Sequence, residues 1–181
     1  MNILVLVAHP NMSQSRVNKT WAERIRQEPR VTVHELYAAY PDFKIDVEKE
    51  QRLLEAHDRV VFQFPFYWYS TPALLKQWQD DVLTYGWAFG PGGTRLRDKE
   101  LMLAISAGSS EDAYRWDGYN RFTIGELTAP LQAVANLTGM RFLAPFTFCN
   151  AAAASEEQIR ASAEAYVKHV RSPSAADVTW K

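Results

Sequence analysis

Residues 2–8, NILVLVA, constrain the fold most, because the run is apolar with no polar face to leave in water. Such a segment suits a parallel strand covered by helices on both sides. Its six apolar residues, Ile3 to Ala8, have no basic flank and are too few for a membrane span or a signal core. The remaining sequence supplies the helices and further strands this strand needs. Helical spacing through Val17, Trp21 and Ile25 predicts a helix over 16–27, and VTVHELY predicts a strand over 31–37. Asp46 is placed to cap a helix over 47–57. RVVFQF predicts a strand over 59–64, and Pro72 opens a helix over 72–84. ELMLAIS predicts a strand over 100–106, followed by a helix over 126–138 that stops at Gly139. The last pair is a strand over 141–149, bent at Pro145, and a helix over 155–171 with a Ser155–Gln158 capping box. A mobile polar tail is expected from Pro173 onward.

Strict strand–helix alternation predicts an α/β sandwich of three layers, with a five-stranded parallel sheet of order 2-1-3-4-5 and helices on both faces. The chain of 181 residues fits one such domain over 1–172. In this arrangement ligands sit beyond the carboxyl ends of the strands, between strands 1 and 3. That rule selects the loops after strands 1, 3 and 4.

Those three loops carry the unusual residues. The first, His9-Pro10-Asn11-Met12-Ser13-Gln14-Ser15-Arg16-Val17-Asn18, leads into a helix start, where backbone N–H groups and the helix dipole favour an anion. Ser15 and Asn18 add neutral donors, and His9 and Arg16 add positive charge. An ordinary helix start with a solvated arginine would read the same way. No glycine-rich phosphate loop is present. The second loop holds Pro65, then Phe66, Tyr67, Trp68 and Tyr69 in a row. In an extended segment successive side chains face opposite ways, so four aromatics cannot share one core, and a flat heteroaromatic ligand is the natural partner. A hydrophobic cap over the sheet end is the plainer alternative. The third loop, Ser106-Ala107-Gly108-Ser109, lets backbone approach a ligand, with Gly108 free to take an unusual dihedral and Tyr114 offering a phenol.

Other classes recede on composition. A formal net charge of -1 with scattered basic residues gives no reason to expect nucleic acid or an anionic membrane surface. A single cysteine, Cys149, excludes an internal disulfide and reads as a small buried apolar residue. His34, His57 and His169 share no metal-ligand spacing, and no metal is expected. Together these features point to a cytoplasmic protein.

Several segments resemble the flavodoxin-2 group of NAD(P)H dehydrogenases (quinone), and within it the ancillary subunits of glutathione-regulated potassium-efflux systems. They are the His9-Pro10 turn to Asn18, Tyr40-Pro41-Asp42-Phe43-Lys44-Ile45-Asp46 with Glu50-Gln51, Gln63 to Lys76, and Tyr85 to Gly93. The likeness runs over 2–172, and Ala113-Tyr114-Arg115-Trp116 through Asn120-Arg121 is closer to the KefB-type than the KefC-type ancillary protein. The resemblance implies a homodimer and two-electron reduction of quinones by NADH or NADPH, in ping-pong order, on a flavin in the crevice. Larger relatives that hold FAD cover its adenine with extra C-terminal segments, and this chain ends soon after its last helix, so FMN rather than FAD is expected. By position, His9, Ser15, Arg16, Val17 and Asn18 would bind the phosphate end. Pro65, Phe66, Tyr67, Trp68 and Tyr69 would border the ring, with Ser106, Ala107, Gly108 and Ser109. Tyr114 would be catalytic, facing negative charge that develops during reduction, together with amides near Gly108 and Ser109.

Two departures from the family stand out. Ser-Ala-Gly-Ser replaces the usual Thr-Thr-Gly-Gly, and Asn120 stands where larger relatives place a relay histidine. They favour a rival reading in which the chain docks on a membrane potassium-efflux transporter, at the cytoplasmic face, with flavin bound and little turnover. A general FMN reductase or azoreductase is a second rival. An electron-carrying flavodoxin is disfavoured, since such carriers are more acidic and bear a Thr-x-Thr-Gly loop absent here. The glycine-rich stretch from Gly86 to Gly93 is assigned to the active-site rim or the dimer contact.

Overall fold

The computed structural model describes residues 1–173, so the expected tail lies, from residue 174, outside the described residues. Its centre is a parallel sheet of order β2-β1-β3-β4-β5, with β6 also on β4. The strands are β1 (Ile3–Val7), β2 (Val31–Glu35), β3 (Arg59–Pro65), β4 (Glu100–Ser106), β5 (Arg141–Phe142) and β6 (Phe146–Phe148). The helices are α1 (Val17–Ile25), α2 (Leu36–Ala39), α3 (Val47–Glu55), α4 (Ala73–Val82), α5 (Ile124–Thr138) and α6 (Glu156–Arg171). The flavodoxin-like order read from the sequence is therefore the one observed. The short α2 is an addition to it, as are 3-10 turns at Met12–Gln14 and Glu111–Tyr114.

Alternation along the buried strands builds two cores. Leu4, Leu6, Phe62 and Leu103 pack under α3, α4 and α5, against Leu54, Leu74, Trp78 and Leu131. Val5, Val7, Val61 and Met102 face the other way, against Trp21 and Ile25 of α1 and Ile159 and Tyr166 of α6. Asp46 caps α3 as expected, accepting from the Lys49 amide at 3.0 Å. The Ser155–Gln158 box opens α6, and Gly139 ends α5 at φ 73°, a left-handed value glycine adopts cheaply. A second capping box, Thr123–Glu126, starts α5 and was not anticipated.

The expected fifth strand splits. Three residues, Leu143 to Pro145, face Met102 and Leu103 of β4 before pairing resumes at Ala104–Phe146. Proline has no amide proton for the ladder, so the break falls where Pro145 stands. Beyond it Phe146 and Phe148 pack on Trp21, whose indole also stacks on Tyr166 at 5.1 Å. At the opposite end of the sheet the buried Arg59 pairs with Glu100 at 2.6 Å and donates to the Val170 and Ser172 carbonyls, tying down the end of α6.

Candidate functional site

The carboxyl ends of β1, β3 and β4 open into two neighbouring cavities of about 260 Å³ each. His9, Gln14, Ser15, Arg16, Val17, Asn18, Pro65 and Ser106 line the first, with Ala151 and Ala152 from the loop after β6. The second is walled by Phe66, Trp68, Tyr69, Gly108, Ser109 and Tyr114. They share the Pro65–Phe66 and Ser106–Gly108 segments, which a hydrogen bond from the Phe66 amide to the Ser106 carbonyl (2.8 Å) holds side by side. The three loops selected by topology thus converge.

The first cavity is a cradle of neutral donors. α1 begins without a side-chain cap, and its first turn, Arg16 to Asn18, lines the cavity. Asn11 donates its amide to His9 Nδ1 at 3.0 Å, which leaves the proton of the neutral ring on Nε2. Burial lowers the His9 pKa and keeps the ring neutral. The Arg16 guanidinium turns to α6, bonding Glu156 at 2.7 Å and the Ala154 carbonyl at 2.8 Å. Of the positive charge expected of His9 and Arg16, the first is removed by desolvation and the second, still at the cavity edge, is paired with Glu156. An anion held here rests on oriented amides, the helix start and neutral side chains.

Polar groups below the floor are fully committed. Asn18 donates from Nδ2 to Ser106 Oγ at 2.9 Å, so it offers the cavity its backbone rather than its side chain. Gln63 donates to the Asn18 carbonyl at 2.9 Å and accepts from the Tyr166 hydroxyl at 3.0 Å. Burial pushes the Tyr166 phenol well up, so it stays protonated. Val17 buries its side chain in the core and contributes only main chain.

In the second cavity the aromatic run is not extended. Tyr67 and Ser70 exchange backbone hydrogen bonds at 3.0 and 3.1 Å around Trp68 and Tyr69, both left-handed with φ 48° and 61°. Two consecutive positive φ values mark a tight hairpin that normally uses Asn and Gly, so two aromatics here carry strain. The turn projects Trp68 outward, 93% exposed, while Phe66 stays against Tyr114 with ring centroids 6.0 Å apart. Tyr67 meets His9 edge-on. Tyr69 donates to Asn120 Oδ1 at 3.2 Å.

Gly108 has no positive φ, so the expected special dihedral is not its role. A Cβ built there would meet nothing within 4 Å. The missing side chain leaves open space beside Ser109 and Tyr114, as a planar ligand requires. Ala107 is pinned from both sides, its amide to the Phe148 carbonyl and its carbonyl to the Ala151 amide. Tyr114, 9% exposed, shares a hydrogen bond with Ser109, and burial raises its phenol above the ordinary value. Cys149 lies near enough to interact electrostatically with Tyr114, and burial raises its thiol, which keeps it protonated. It is half-buried rather than a core residue.

A larger hollow, about 430 Å³, lies behind Phe66 between α4 and α5. Phe89 of the glycine-rich loop lines it, and Leu137 stands 64% exposed at its edge. No part of that loop reaches the two crevice cavities. The sequence reading did not anticipate Gln14, Ala151 and Ala152 as lining residues, nor the Gln63–Tyr166 link. The signal for the alanines was available, since the loop after the fifth strand leaves the same end of the sheet. Among the described residues no cluster of His, Cys, Asp or Glu could hold a metal.

Comparison with known proteins agrees with this geometry. A family model described as flavodoxin-like fold matches residues 1–170. The chain is similar to the NAD(P)H oxidoreductase YrkL of Bacillus subtilis, 56% identical over 171 residues, 94% of this chain and 98% of that one. It is also similar to the glutathione-regulated potassium-efflux system ancillary protein KefG of Cronobacter sakazakii, 42% identical over 94% of this chain and 93% of the relative. Among solved structures, general stress protein 14 of Treponema denticola in complex with FMN superposes with a TM-score of 0.90 at 44% identity, covering 94% of this chain and 98% of that one.

Proposed function

The chain belongs to the flavodoxin-2 family, and from that premise we propose that it is an FMN-dependent NAD(P)H oxidoreductase that reduces quinones. The observation that carries the reading is the pairing of an uncapped helix start with an aromatic-walled cavity across one strand end. A phosphate fits the first and a flat ring fits the second. The open space at Gly108 and the neutral donors around His9 and Ser15 suit FMN, and the FMN-bound relative supports that choice. FMN held there by these residues would supply two-electron chemistry between NADH or NADPH and a quinone.

The residues divide the work. Backbone amides at Arg16, Val17 and Asn18 orient the phosphate, with Ser15 and His9 Nε2 beside them. Phe66 and Tyr69 flank the ring, with Trp68 at the mouth of that cavity and Tyr67 against His9 beside it. Tyr114 donates a hydrogen bond to charge that develops at the ring edge, with the amides of Gly108 and Ser109 beside it. Donor and acceptor take turns on one exposed face, which is ping-pong order.

A cytoplasmic homodimer completes the proposal, with α4 and α5 of two copies closing the groove behind Phe66. The ancillary-protein relative supports a further partner, a membrane potassium-efflux transporter. No described helix is long and apolar enough to cross a membrane, so attachment would run through that partner. In the transporter-docking alternative the flavin is held with little turnover, and Asn120 at the relay position is the residue that favours it. One experiment separates the two: anaerobic addition of NADPH to the purified flavoprotein, then a quinone. Bleaching followed by recolouring supports the enzyme. A yellow protein that NADPH does not bleach favours the docking module, and a colourless chain that takes up no FMN refutes both.

A further inference from the structure

The donors and acceptors beneath the crevice form a one-way chain whose direction is forced by a single main-chain atom. The Asn18 carbonyl can only accept, so the group Gln63 presents to it at 2.9 Å must be its Nε2. The Gln63 oxygen then faces Tyr166 and accepts the phenol proton at 3.0 Å. Gln63 Nε2 also lies 3.4 Å from the Asn18 side chain, which turns Oδ1 toward it and sends Nδ2 to Ser106 Oγ at 2.9 Å. Reversing Gln63 would set its oxygen against the Asn18 carbonyl, and reversing Asn18 would set N–H against N–H. Tyr166 and Gln63 are fully buried, so water cannot take over a broken link between them. Ser106 is thus held as an acceptor, and its own proton finds no acceptor among the described residues. Its hydroxyl lines the first cavity beside His9 and Ser15.

We propose that Gln63 and Tyr166 are positioning residues that, through Asn18, commit the Ser106 hydroxyl to donate into the cavity, where it selects a ligand presenting a phosphate or polyol oxygen. The proposal rests on the crevice holding FMN. Neither Gln63 nor Tyr166 lines the cavity, so each acts only through Ser106.

The test is the affinity of the full chain, freed of cofactor, for FMN, read by quenching of flavin fluorescence. Ser106→Ala should weaken binding about tenfold, the loss of one good hydrogen bond. Ser106→Thr, which keeps the hydroxyl, should stay within about twofold. Gln63→Glu keeps an acceptor for Tyr166 but sets a carboxylate oxygen against Asn18. The Asn18 amide then turns, its oxygen takes the Ser106 proton, and affinity falls about as far as in Ser106→Ala. Added to Ser106→Ala, Gln63→Glu should cost nothing more, because its route is already cut. If Gln63→Glu fails to fold by circular dichroism, Gln63→Met, which releases the Asn18 amide without adding charge, makes the same comparison in the same two backgrounds. Effects that multiply, or a Ser106→Ala variant that binds like wild type, overturn the inference. Wild type that binds no FMN removes the functional reading and this inference with it, a result distinct from failure confined to the variants.

Discussion

Replacing Tyr114 with Phe isolates one hydroxyl. The ring stays, so its packing on Phe66 at 6.0 Å is kept and no cavity opens. Ser109 shares a hydrogen bond with the phenol and can donate to it, which leaves the phenol proton for the ligand. A hydrogen bond to a neutral, resting acceptor is worth about 0.5–1.5 kcal/mol, and one to an acceptor gaining charge about 1.5–3 kcal/mol. The difference falls on the transition state. Loss of the hydroxyl should therefore slow reduction by about five- to tenfold, with any change in FMN affinity less than about tenfold. Stopped-flow loss of flavin absorbance after anaerobic mixing with NADPH measures the first, and acid release of FMN from the purified variant measures the second. Burial raises the phenol above its ordinary value of 10.0. It therefore stays protonated at every pH below that value, and wild type and variant should share one pH profile up to about 10. A variant reduced within twofold of wild type, or one purified without flavin, refutes the role.

Three further outcomes follow from other parts of the molecule. Buried Glu50 accepts from Trp78 at 2.8 Å and from Tyr40, with His34 Nε2 at 2.8 Å. Burial raises its pKa, but the bonds from His34, Tyr40 and Trp78 outweigh this and hold it below 4.5. A depressed folded value means the stabilisation is complete above 4.5 and is lost as pH falls through the folded value. In urea titrations Glu50→Gln should lack that part of the acid loss, and Glu50→Ala should cost about 3 kcal/mol at pH 7 by orphaning two donors; equal acid sensitivity in wild type and Glu50→Gln would contradict this. Trp68→Gly relieves a left-handed residue that buries almost nothing, so stability should rise by up to about 1 kcal/mol while the KM for quinone increases; a lower melting temperature would show the turn is unstrained. Leu137→Arg puts a charge on the exposed edge of the groove and should convert a dimer to monomers in sedimentation, a prediction that fails if wild type sediments as a monomer.

The sheet order was readable because its strands differ so plainly from its helices. Ile3 to Val7 are buried on both faces, as their unbroken apolarity implies, and Asp46, Gly139 and Ser155 mark helix ends where they stand. The crevice was readable through position, since loops after particular strands meet wherever such a sheet forms. Long-range pairing was not readable. Arg16 reads as a free cation until Glu156, 140 residues away, is seen to hold it. Tyr166 and Gln63 stand 103 residues apart and read separately as a core aromatic and a strand residue. Trp68 and Tyr69 carry no Asn or Gly to announce a hairpin, so strain hid the turn. Gly108 takes no positive φ and a Cβ there would meet nothing within 4 Å, so neither the backbone angle nor a neighbouring atom requires glycine.

The link between β5 and β6 makes chain length at one place a condition of the fold. Side chains alternate along a strand, so deleting one residue of 143–145 would leave two opposite two, with Phe146 still beside Ala104, whereas deleting two would slide the next three by a single step. Phe146 and Phe148 would then swap sides with Thr147, leaving Trp21 and Tyr166 without their aromatic neighbours. The same slip would drag Asn150 from the Ser109 carbonyl that its amide reaches at 2.7 Å, unfastening the wall of the ring cavity. A deletion scan across this edge should therefore tolerate the loss of one residue and lose flavin and folding together at the second.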